Sequence, residues 1–403
     1  MPIFRDIYKS IKLIINMMKS AKKAGRLKKA IFSRVLNYVR VLPYFIYNPA
    51  FKKVRIHAPK PSIPSKDQNE IDLVKRLFKA YKLMKEDEIL HPKYHPSSLW
   101  KLQLDNSFSE LKESKDLDNF ELFHYFLSNF GISDKYLGIE NQVLIKRGNK
   151  NIFGKLYLQN IVFYKTLKLW KWFYNDRKSL DRLIYPTYGN QCGAYIFGKF
   201  VGAGSFFNEI YGSTLSKLIE DCDRPVVGEI GGGYGKLAYF TLRDLKNSCY
   251  VGFDLPEIVT LQAYYLSKCF PSKANLLYGE SDFNRQTFKN FDLVFMPSFE
   301  IEKLEKESID LFINKNSFGE MEEETVLNYL SFVCNSTNYL FHLNHDNYRN
   351  SFDGNKYSLL GSEYPIPSKD FKLLVRYPDL GHLIGRHFID LYQDIFFYLY
   401  KKK

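Results

Sequence analysis

Short apolar runs alternate with amphipathic stretches in the second half of the chain, from Asp223 onward. The runs are rich in β-branched and aromatic residues, which favours strands, and the stretches between them repeat apolar residues at helical spacing. This alternation predicts an α/β fold with a doubly wound, mostly parallel, Rossmann-like sheet over residues 223–403. The predicted strands are 225–230, 249–254, 291–296, 309–313, 339–344, 371–377 and 392–400, and the predicted helices are 234–245, 257–269 and 322–333.

A mainly helical, aromatic-rich region is predicted over residues 70–215. Apolar residues recur at helical spacing over 70–90 and 118–130. Polar, aromatic turns interrupt the pattern at 91–100 and 185–193. The prolines of segment 58–69 prevent a helix from continuing, so this segment is predicted to be a linker.

Residues 1–60 are predicted to form a basic amphipathic helical arm. They contain 15 Lys or Arg and one acidic residue, and the whole chain has a formal net charge of +14. Apolar residues recur among the basic ones at steps of three and four. Two interpretations stay open, a helix that lies on an anionic membrane surface and an arm that packs on the rest of the protein.

The rest of the chain restricts the classes of partner and the compartment. Residues 61–403 contain 43 basic and 43 acidic side chains, so no nucleic-acid partner is expected. The five cysteines are widely spaced and form no metal-binding pattern. We expect a cytoplasmic protein without a metal, which is peripheral to the inner face of the membrane if the arm binds lipid. The sequence leaves the oligomeric state open.

The segment 226–240 carries the main chemical signal. An acidic residue, Glu229, precedes glycines in a GxGxG pattern, Gly231, Gly233 and Gly235. A dinucleotide fingerprint is GxGxxG, and a carboxylate at this position would repel a pyrophosphate but would accept hydrogen bonds from an ammonium group. Asp254 ends the next strand, where an acid can accept both hydroxyls of a ribose. The pattern favours S-adenosylmethionine over NAD as the cofactor.

The run from Val226 to Asp254 resembles motif I and the acidic second-strand end of the class I, Rossmann-like methyltransferases. Over about residues 90–400 the chain also resembles the bacterial sugar O-methyltransferases of polysaccharide clusters. The resemblance implies an S-adenosylmethionine-dependent O-methyltransferase acting on a sugar hydroxyl of a surface polysaccharide or its lipid-linked precursor. Where such proteins often have Gly-Asn-Pro, this chain has Gly-Asn-Gln at 189–191. The matching segments are 185–193, 229–240, 253–258, 293–304 and 308–321.

The resemblance also assigns roles to individual residues. Ser298 and Phe299, after the strand 291–296, are expected against adenine; if 274–278 is the third strand instead, residues 279–282 take that place. Segment 314–321 is expected to face the transferred methyl group, with Leu255 and Asn316 among the cofactor contacts. Tyr188 and Asn190 are expected at the acceptor pocket, within a helical region that covers the strand ends.

Methyl transfer to a hydroxyl needs a base, and the candidates must follow strands. His345 and Asp346 follow the fifth strand, with Asp346 able to orient the imidazole, and Glu320 follows the fourth. His345 can instead be an ordinary loop histidine, and Glu320 can simply favour a helix N-terminus. His342, with His345 and Asp346, is a weaker metal-ligand alternative. His382 and His387 are unranked candidates for substrate contact.

Two other functions stay open at this stage. One is methyl transfer to another small molecule or to nucleic acid, although residues 316–319 lack the Asn/Asp-Pro-Pro-Tyr/Phe motif of amino-methylating enzymes. The other is a non-catalytic scaffold of a glycan-assembly complex.

Overall fold

The computed structural model describes residues 39–133, 142–381 and 394–403, which divide into two compact units. The first unit contains residues 39–61, 130–133 and 142–206, and the second contains residues 62–129, 207–381 and 394–403. Most of the predicted arm, residues 1–38, lies outside the described residues, as do His382 and His387. The predicted helical region 70–215 is thus divided between the two units.

The first unit combines a three-stranded antiparallel sheet with helices. Its strands are β1 (Val54–His57), β2 (Gly193–Ile196) and β3 (Lys199–Val201), in the order β1-β2-β3. Residues 54–57, predicted as part of a separate arm, instead pair with β2, because the run Val-Arg-Ile-His buries Val54 and hydrogen-bonds along Gly193–Ile196. The helices are Pro43–Ile46, Gln142–Gly148, Ile152–Tyr157 and Thr166–Phe173, the last two joined by a π-helical segment, Leu158–Lys165.

The second unit is built on an eight-stranded sheet, which confirms the predicted α/β, doubly wound, mostly parallel fold. The eight strands are β4 (Val226–Ile230), β5 (Cys249–Asp254), β6 (Asn275–Leu277), β7 (Leu293–Pro297), β8 (Ile309–Lys315), β9 (Thr337–His345), β12 (Phe371–Pro378) and β13 (Ile395–Lys402). A two-stranded hairpin, β10 (Ser351–Phe352) and β11 (Lys356–Tyr357), was not predicted. In the large sheet the strand order is β12-β13-β9-β8-β4-β5-β7-β6. Strand β13 lies antiparallel to β9 and to β12, and the other neighbours are parallel.

Helices of residues 62–129 belong to the sheet unit. The helix Gln68–Asp87 packs on the helix Pro256–Cys269, and its buried Glu70 accepts hydrogen bonds from Tyr264 and Lys268 there. A buried carboxylate needs such partners, which ties the two helices together. The helices of this unit are Gln68–Asp87, Ser98–Ser107, Ser109–Asp116, Phe120–Asn129, Ser205–Ser216, Lys236–Leu242, Pro256–Cys269, Thr287–Asn290 and Glu323–Ser336.

The central strands are buried along almost their whole length, as the continuous apolar runs of the sequence predict. Parallel pairing also aligns their carboxyl ends. Asp254 pairs with Pro297, and Ile230 pairs with Asn314. The residues that follow β7, β5, β4, β8 and β9 therefore form one row along the edge of the sheet, where ligands of such folds bind.

Candidate functional site

Three glycines after β4 have three different surroundings. Gly231, with a φ of 71°, leaves room for Ser317, because a Cβ at Gly231 would lie 2.0 Å from Ser317 Oγ. Gly235 leaves room for Leu266 of the helix Pro256–Cys269, whereas a Cβ at Gly233 would have no heavy atom of the described residues within 4 Å. The turn thus packs on protein at its two ends, and its middle glycine faces open space, as a ligand in contact with the backbone requires.

Glu229 lies beneath this turn and is 1% exposed. Its Oε2 accepts a hydrogen bond of 2.6 Å from the Tyr250 hydroxyl on β5. Burial raises the pKa of Glu229 to about 7, which the Tyr250 hydrogen bond and the charge of Lys315 partly oppose. The predicted role of Glu229 toward a ligand ammonium group stays a prediction.

Asp254 is the acid at the end of β5. Its Oδ1 accepts a hydrogen bond of 2.8 Å from the N–H of Leu255, while its buried Oδ2 has no hydrogen-bond partner among the described residues. Burial raises the pKa of Asp254 to about 8, an effect that the N–H of Leu255 partly opposes. An unpartnered buried carboxylate oxygen is costly, and donors such as ribose hydroxyls would satisfy it.

A buried amide network joins the ends of β4, β8 and β9, and sequence reasoning missed it. Nδ2 of Asn314 donates to Ile230 O over 3.0 Å and to Ser317 Oγ over 2.6 Å. Nδ2 of Asn344 donates to Asn314 Oδ1 over 2.8 Å, and Oδ1 of Asn344 accepts from the N–H of Gly319. These bonds fix the loop 316–320 against the glycine turn. The signal in the sequence was an asparagine within each of two apolar strands.

Asn316 belongs to the same loop. Its φ is 61°, and its N–H donates to Leu343 O over 2.7 Å. The Oδ1 atom of Asn316 is buried and has no hydrogen-bond partner among the described residues. This oxygen is a second acceptor at the strand ends that a ligand donor can satisfy.

Ser298 follows β7, next to Asp254 in the register of the sheet. The strand β6 lies at the sheet edge beyond β7, so the geometry favours Ser298 over residues 279–282 as the neighbour of Asp254. Phe299 is 4% exposed and stacks on His91, with ring centroids 4.2 Å apart. The adenine role of Ser298 and Phe299 stays a prediction, and His91 is a contact that the sequence did not reveal.

His91 begins a segment, residues 91–100, that we call the strap. Besides the His91–Phe299 stack, the hydroxyl of Tyr94 donates to Glu302 over 2.7 Å. Farther along, Trp100 Nε1 donates to Glu320 Oε2 over 2.9 Å. The strap, predicted only as a polar, aromatic turn, therefore lies over the residues that follow β7 and β8.

Glu320 is thus held from above by the strap. Burial raises the pKa of Glu320, while the indole of Trp100 and the nearby His345 lower it. The side chain of His345 contacts Gly319, since a Cβ there would lie 2.8 Å from His345 Cδ2. Two of the predicted acid–base residues, Glu320 and His345, therefore lie close together.

His345 is oriented by Asp394 and not by its sequence neighbour. Its Nδ1 lies 2.7 Å from Asp394 Oδ2, and the two side chains are 20% and 10% exposed. Asp394 immediately precedes β13, whose Ile395 pairs with His345 in the sheet. A hydrogen bond to a carboxylate selects, for the neutral imidazole, the tautomer with its proton on Nδ1 and its lone pair on Nε2.

Asp346, expected to orient His345, is directed into a different cluster. Its carboxylate accepts hydrogen bonds from Arg376, from the Tyr398 hydroxyl at 2.7 Å and from the N–H of Ser362 at 2.7 Å. These hydrogen bonds lower the pKa of Asp346 against the opposing effect of burial. The expectation was wrong because consecutive residues at a strand end point to opposite faces.

His342 does not face His345 either. It is 1% exposed and stacks on Tyr398, with ring centroids 4.5 Å apart. Burial lowers the pKa of His342 to about 3, so the ring is neutral. In the part of the chain that the structure describes, no group of three or more His, Cys, Asp or Glu side chains is placed to hold a metal ion.

Tyr188 and Asn190 lie in the first unit, whereas the other predicted site residues lie in the second. Tyr188 is 36% exposed. Asn190, with a φ of 60°, donates from Nδ2 to Lys60 O over 2.7 Å. Beside it, the backbone of Gly189 packs on Phe130. These contacts give Asn190 a structural role within its unit, and the acceptor role of both residues stays a prediction.

The chain matches no known protein-family model and no curated protein sequence. Its fold is similar to solved methyltransferase structures at low identity. The mitomycin 7-O-methyltransferase MmcR is 9% identical, with a TM-score of 0.32 over 50% of this chain and 57% of MmcR. A TehB-like S-adenosylmethionine-dependent methyltransferase from Corynebacterium glutamicum is 13% identical, with a TM-score of 0.31 over 48% of this chain and 89% of that one.

A third similar structure is the magnesium protoporphyrin IX methyltransferase ChlM from Synechocystis, with bound S-adenosylmethionine. It is 12% identical, with a TM-score of 0.31 over 48% of this chain and 79% of ChlM. The chain spans little more than half the length of MmcR, and these likenesses concern the fold alone. Among the described residues, no helix is long and apolar enough to cross a membrane.

Proposed function

We propose that this protein is an S-adenosylmethionine-dependent O-methyltransferase whose acceptor is a sugar hydroxyl of a surface polysaccharide or its lipid-linked precursor. One observation carries the proposal. A glycine turn open at Gly233 and Asp254 Oδ2, which has no hydrogen-bond partner in the part of the chain that the structure describes, lie on the same strand-end row as the His345–Asp394 pair. A glycine turn and an acid that can hold a cofactor, with a candidate base at the carboxyl ends of the same strands, suit group transfer to a hydroxyl.

The residues fit the cofactor by their chemistry. Asp254 Oδ2 is a buried acceptor for ribose hydroxyls, and Gly233 lets a ligand approach the backbone. Glu229 supplies a negative charge near the turn once it is ionised. When bound, the cofactor supplies a methyl group on a sulfonium centre.

His345 is proposed as the base. Asp394 holds the Nδ1–H, so Nε2 would accept the proton of the acceptor hydroxyl as that oxygen takes the methyl group and the sulfur–methyl bond breaks to leave S-adenosylhomocysteine. The positive imidazolium that results is stabilised by the Asp394 carboxylate. Glu320, held by Trp100, adds a second carboxyl group close to His345 that can accept a hydrogen bond from a neighbouring hydroxyl of a sugar.

Binding of the cofactor product is the first test. Isothermal titration with S-adenosylhomocysteine should give one saturable site, and Asp254→Ala should weaken it by about tenfold to a hundredfold, since hydrogen bonds to charged groups contribute about 1.5–3 kcal/mol. Asp310→Ala is a matched control, because Asp310 is an acid at the opposite, amino-terminal end of β8. Equal or tighter binding of NAD would contradict the cofactor assignment, and absence of both would favour a scaffold.

The acceptor class needs a second test. The sugar assignment is supported by the resemblance of segments 185–193, 293–304 and 308–321 to sugar O-methyltransferases. Mass spectrometry of surface polysaccharide from a deletion strain should reveal loss of one methyl group from a sugar residue, restored by the wild-type gene but not by His345→Asn. An unchanged glycan together with undermethylated RNA would move the proposal to a nucleic-acid acceptor.

A further inference from the structure

The two compact units carry charges of opposite sign. The described residues of the first unit contain 16 Lys or Arg and 2 Asp or Glu, whereas those of the second contain 30 and 38. Within residues 61–403 the described part of the first unit has 11 basic and 2 acidic side chains, so the equal totals of that range combine a basic part and an acidic part. The first unit contains neither the candidate base nor the glycine turn. Its positive charge therefore indicates an anionic partner that binds apart from the candidate site.

Exposed apolar side chains lie next to some of these cations. In residues 45–53, Ile46 is 95% exposed, Tyr47 is 71% exposed and Phe51 is 67% exposed. Lys52 is also exposed, and Lys53 lies over the ring of Tyr164. Lys168 lies over the same ring, 5.0 Å from its centroid. We call residues 45–53 with Tyr164 and Lys168 the docking surface.

The docking surface is fixed in place and is not a frayed end. Asn48 Oδ1 accepts from the N–H of Ala50, and Asn48 Nδ2 donates to the buried Gln159. Gln159 in turn donates to Val54 O over 2.9 Å. The ring of Phe45 packs edge-on against Phe153, with centroids 5.0 Å apart. The protein thus holds Ile46, Tyr47 and Phe51 outward, although burying them would stabilise the fold.

We propose that the docking surface binds an anionic phospholipid membrane. Apolar side chains flanked by lysines match the interfacial region of such a membrane, where the apolar groups enter the acyl boundary and the cations face lipid phosphates. A nearly fully exposed isoleucine favours lipid over nucleic acid, because nucleic-acid surfaces use aromatic stacking and phosphate contacts. Residues 1–38, with ten basic side chains and one acidic one, have the same sign of charge as the unit, which disfavours them as the occupant.

Vesicle sedimentation of the full chain tests this proposal. The protein should sediment with phosphatidylglycerol–phosphatidylcholine vesicles, weakly with phosphatidylcholine alone, and less as salt rises from 0.1 to 1 M, where the Debye length falls from about 10 to about 3 Å. The variant Ile46→Ser/Tyr47→Ser/Phe51→Ser should lower the partition coefficient at least about tenfold. The variant Lys52→Gln/Lys53→Gln/Lys168→Gln should lower the partition coefficient about fivefold per lysine.

The matched control removes exposed apolar groups from the acidic unit, as Ile63→Ser/Leu117→Ser/Leu327→Ser, and should leave partitioning unchanged. Equal partitioning of the wild type and the Ile46/Tyr47/Phe51 variant would overturn the proposal. So would RNA binding without lipid binding. A fall in melting temperature of that variant with unchanged partitioning would show that another part of the chain covers the surface. Titration with S-adenosylhomocysteine tests the methyltransferase proposal independently.

Discussion

The imidazole of His345 is held by a carboxylate 49 positions along the chain, with 2.7 Å between His345 Nδ1 and Asp394 Oδ2. The sequence neighbour Asp346 instead binds Arg376 and Tyr398. The two aspartates thus have separate roles, one toward the candidate base and one toward the packing of β9 on β13. This separation can be measured.

His345→Asn should lower kcat by about 10² to 10⁴, the contribution typical of general acid–base catalysis, and leave the affinity for S-adenosylhomocysteine unchanged. Asp394→Asn should lower kcat by about 10² or more, because the ring loses the partner that fixes its tautomer. Steady-state kinetics with the methyl acceptor and titration calorimetry are the measurements. A His345→Asn variant with wild-type kcat would exclude His345 as the base.

Asp346→Asn should lower the melting temperature while changing kcat little, because its carboxylate binds Arg376, Tyr398 and Ser362 and not His345. Thermal unfolding measured beside kcat distinguishes the two aspartates. If Asp346→Asn abolished turnover in a fully folded protein, the Asp394 assignment would be in error.

Stability should depend on pH through Glu229 and Asp254. Folding raises the pKa of Glu229 from 4.5 to about 7 and that of Asp254 from 3.8 to about 8. Between pH of about 4 and about 8 the folded chain therefore binds more protons than the unfolded chain. The free energy of unfolding therefore falls as pH rises from about 4 to about 8. When the free energy of unfolding is measured by denaturant titration at several pH values, its slope against pH should be smaller for Glu229→Gln/Asp254→Asn than for the wild type. Identical slopes would refute the linkage.

Ligand binding should be linked to the same protons. Ribose hydroxyls that donate to Asp254, and a ligand ammonium group near Glu229, favour the ionised carboxylates. The affinity for S-adenosylhomocysteine should therefore rise from pH 6 to pH 8.5, with proton release visible as a buffer-dependent enthalpy in calorimetry. Asp254→Asn should reduce this buffer dependence, and an affinity that fell with pH would contradict the assignment.

The glycines of the turn should respond differently to alanine. Gly235→Ala should destabilise the fold, because its Cβ would lie 2.8 Å from Leu266 and its φ of 92° is strained for alanine. The Cβ added by Gly233→Ala would have no heavy atom of the described residues within 4 Å. The backbone strain of an alanine at a φ of 57° is therefore its main structural cost. We expect the main effect of Gly233→Ala to be weaker binding of S-adenosylhomocysteine, with a smaller effect on the melting temperature. Equal loss of both properties at the two positions would argue against a ligand at Gly233.

Asn314→Ala should lower the free energy of unfolding by about 1–3 kcal/mol, since it leaves the buried amide of Asn344 without an acceptor. The loop 316–320 should also exchange its amide hydrogens faster. Ser331→Ala is a control on an exposed helical face. Hydrogen exchange unchanged at Gly319 would show that the network does not hold the loop.

Five strands of the large sheet, β4, β5, β7, β8 and β9, were predictable because buried parallel strands are continuous apolar runs, and the glycine turn because its spacing is local. The three-residue strand β6 was predicted only as an alternative third strand. The orienting acid was not. Asp394 reaches His345 only through the antiparallel register of β13 on β9, in which Ile395 pairs with His345, and sequence separation does not encode register. The short strands β1 to β3 were missed because β1 lies within a basic run that indicates an appendage.

The position of β13 also has a consequence for biosynthesis. Ile395–Lys402 follows the other strands of the large sheet in the chain, yet it lies inside the sheet between β12 and β9, and Asp394 enters the site with it. Chains fold from the amino terminus as they emerge, so a nascent chain can assemble the glycine turn and the central strands while His345 still lacks its carboxylate. The proposed base is therefore oriented only once β13 has been synthesised and has paired with β9, and a chain truncated before Asp394 would have the glycine turn without an oriented base.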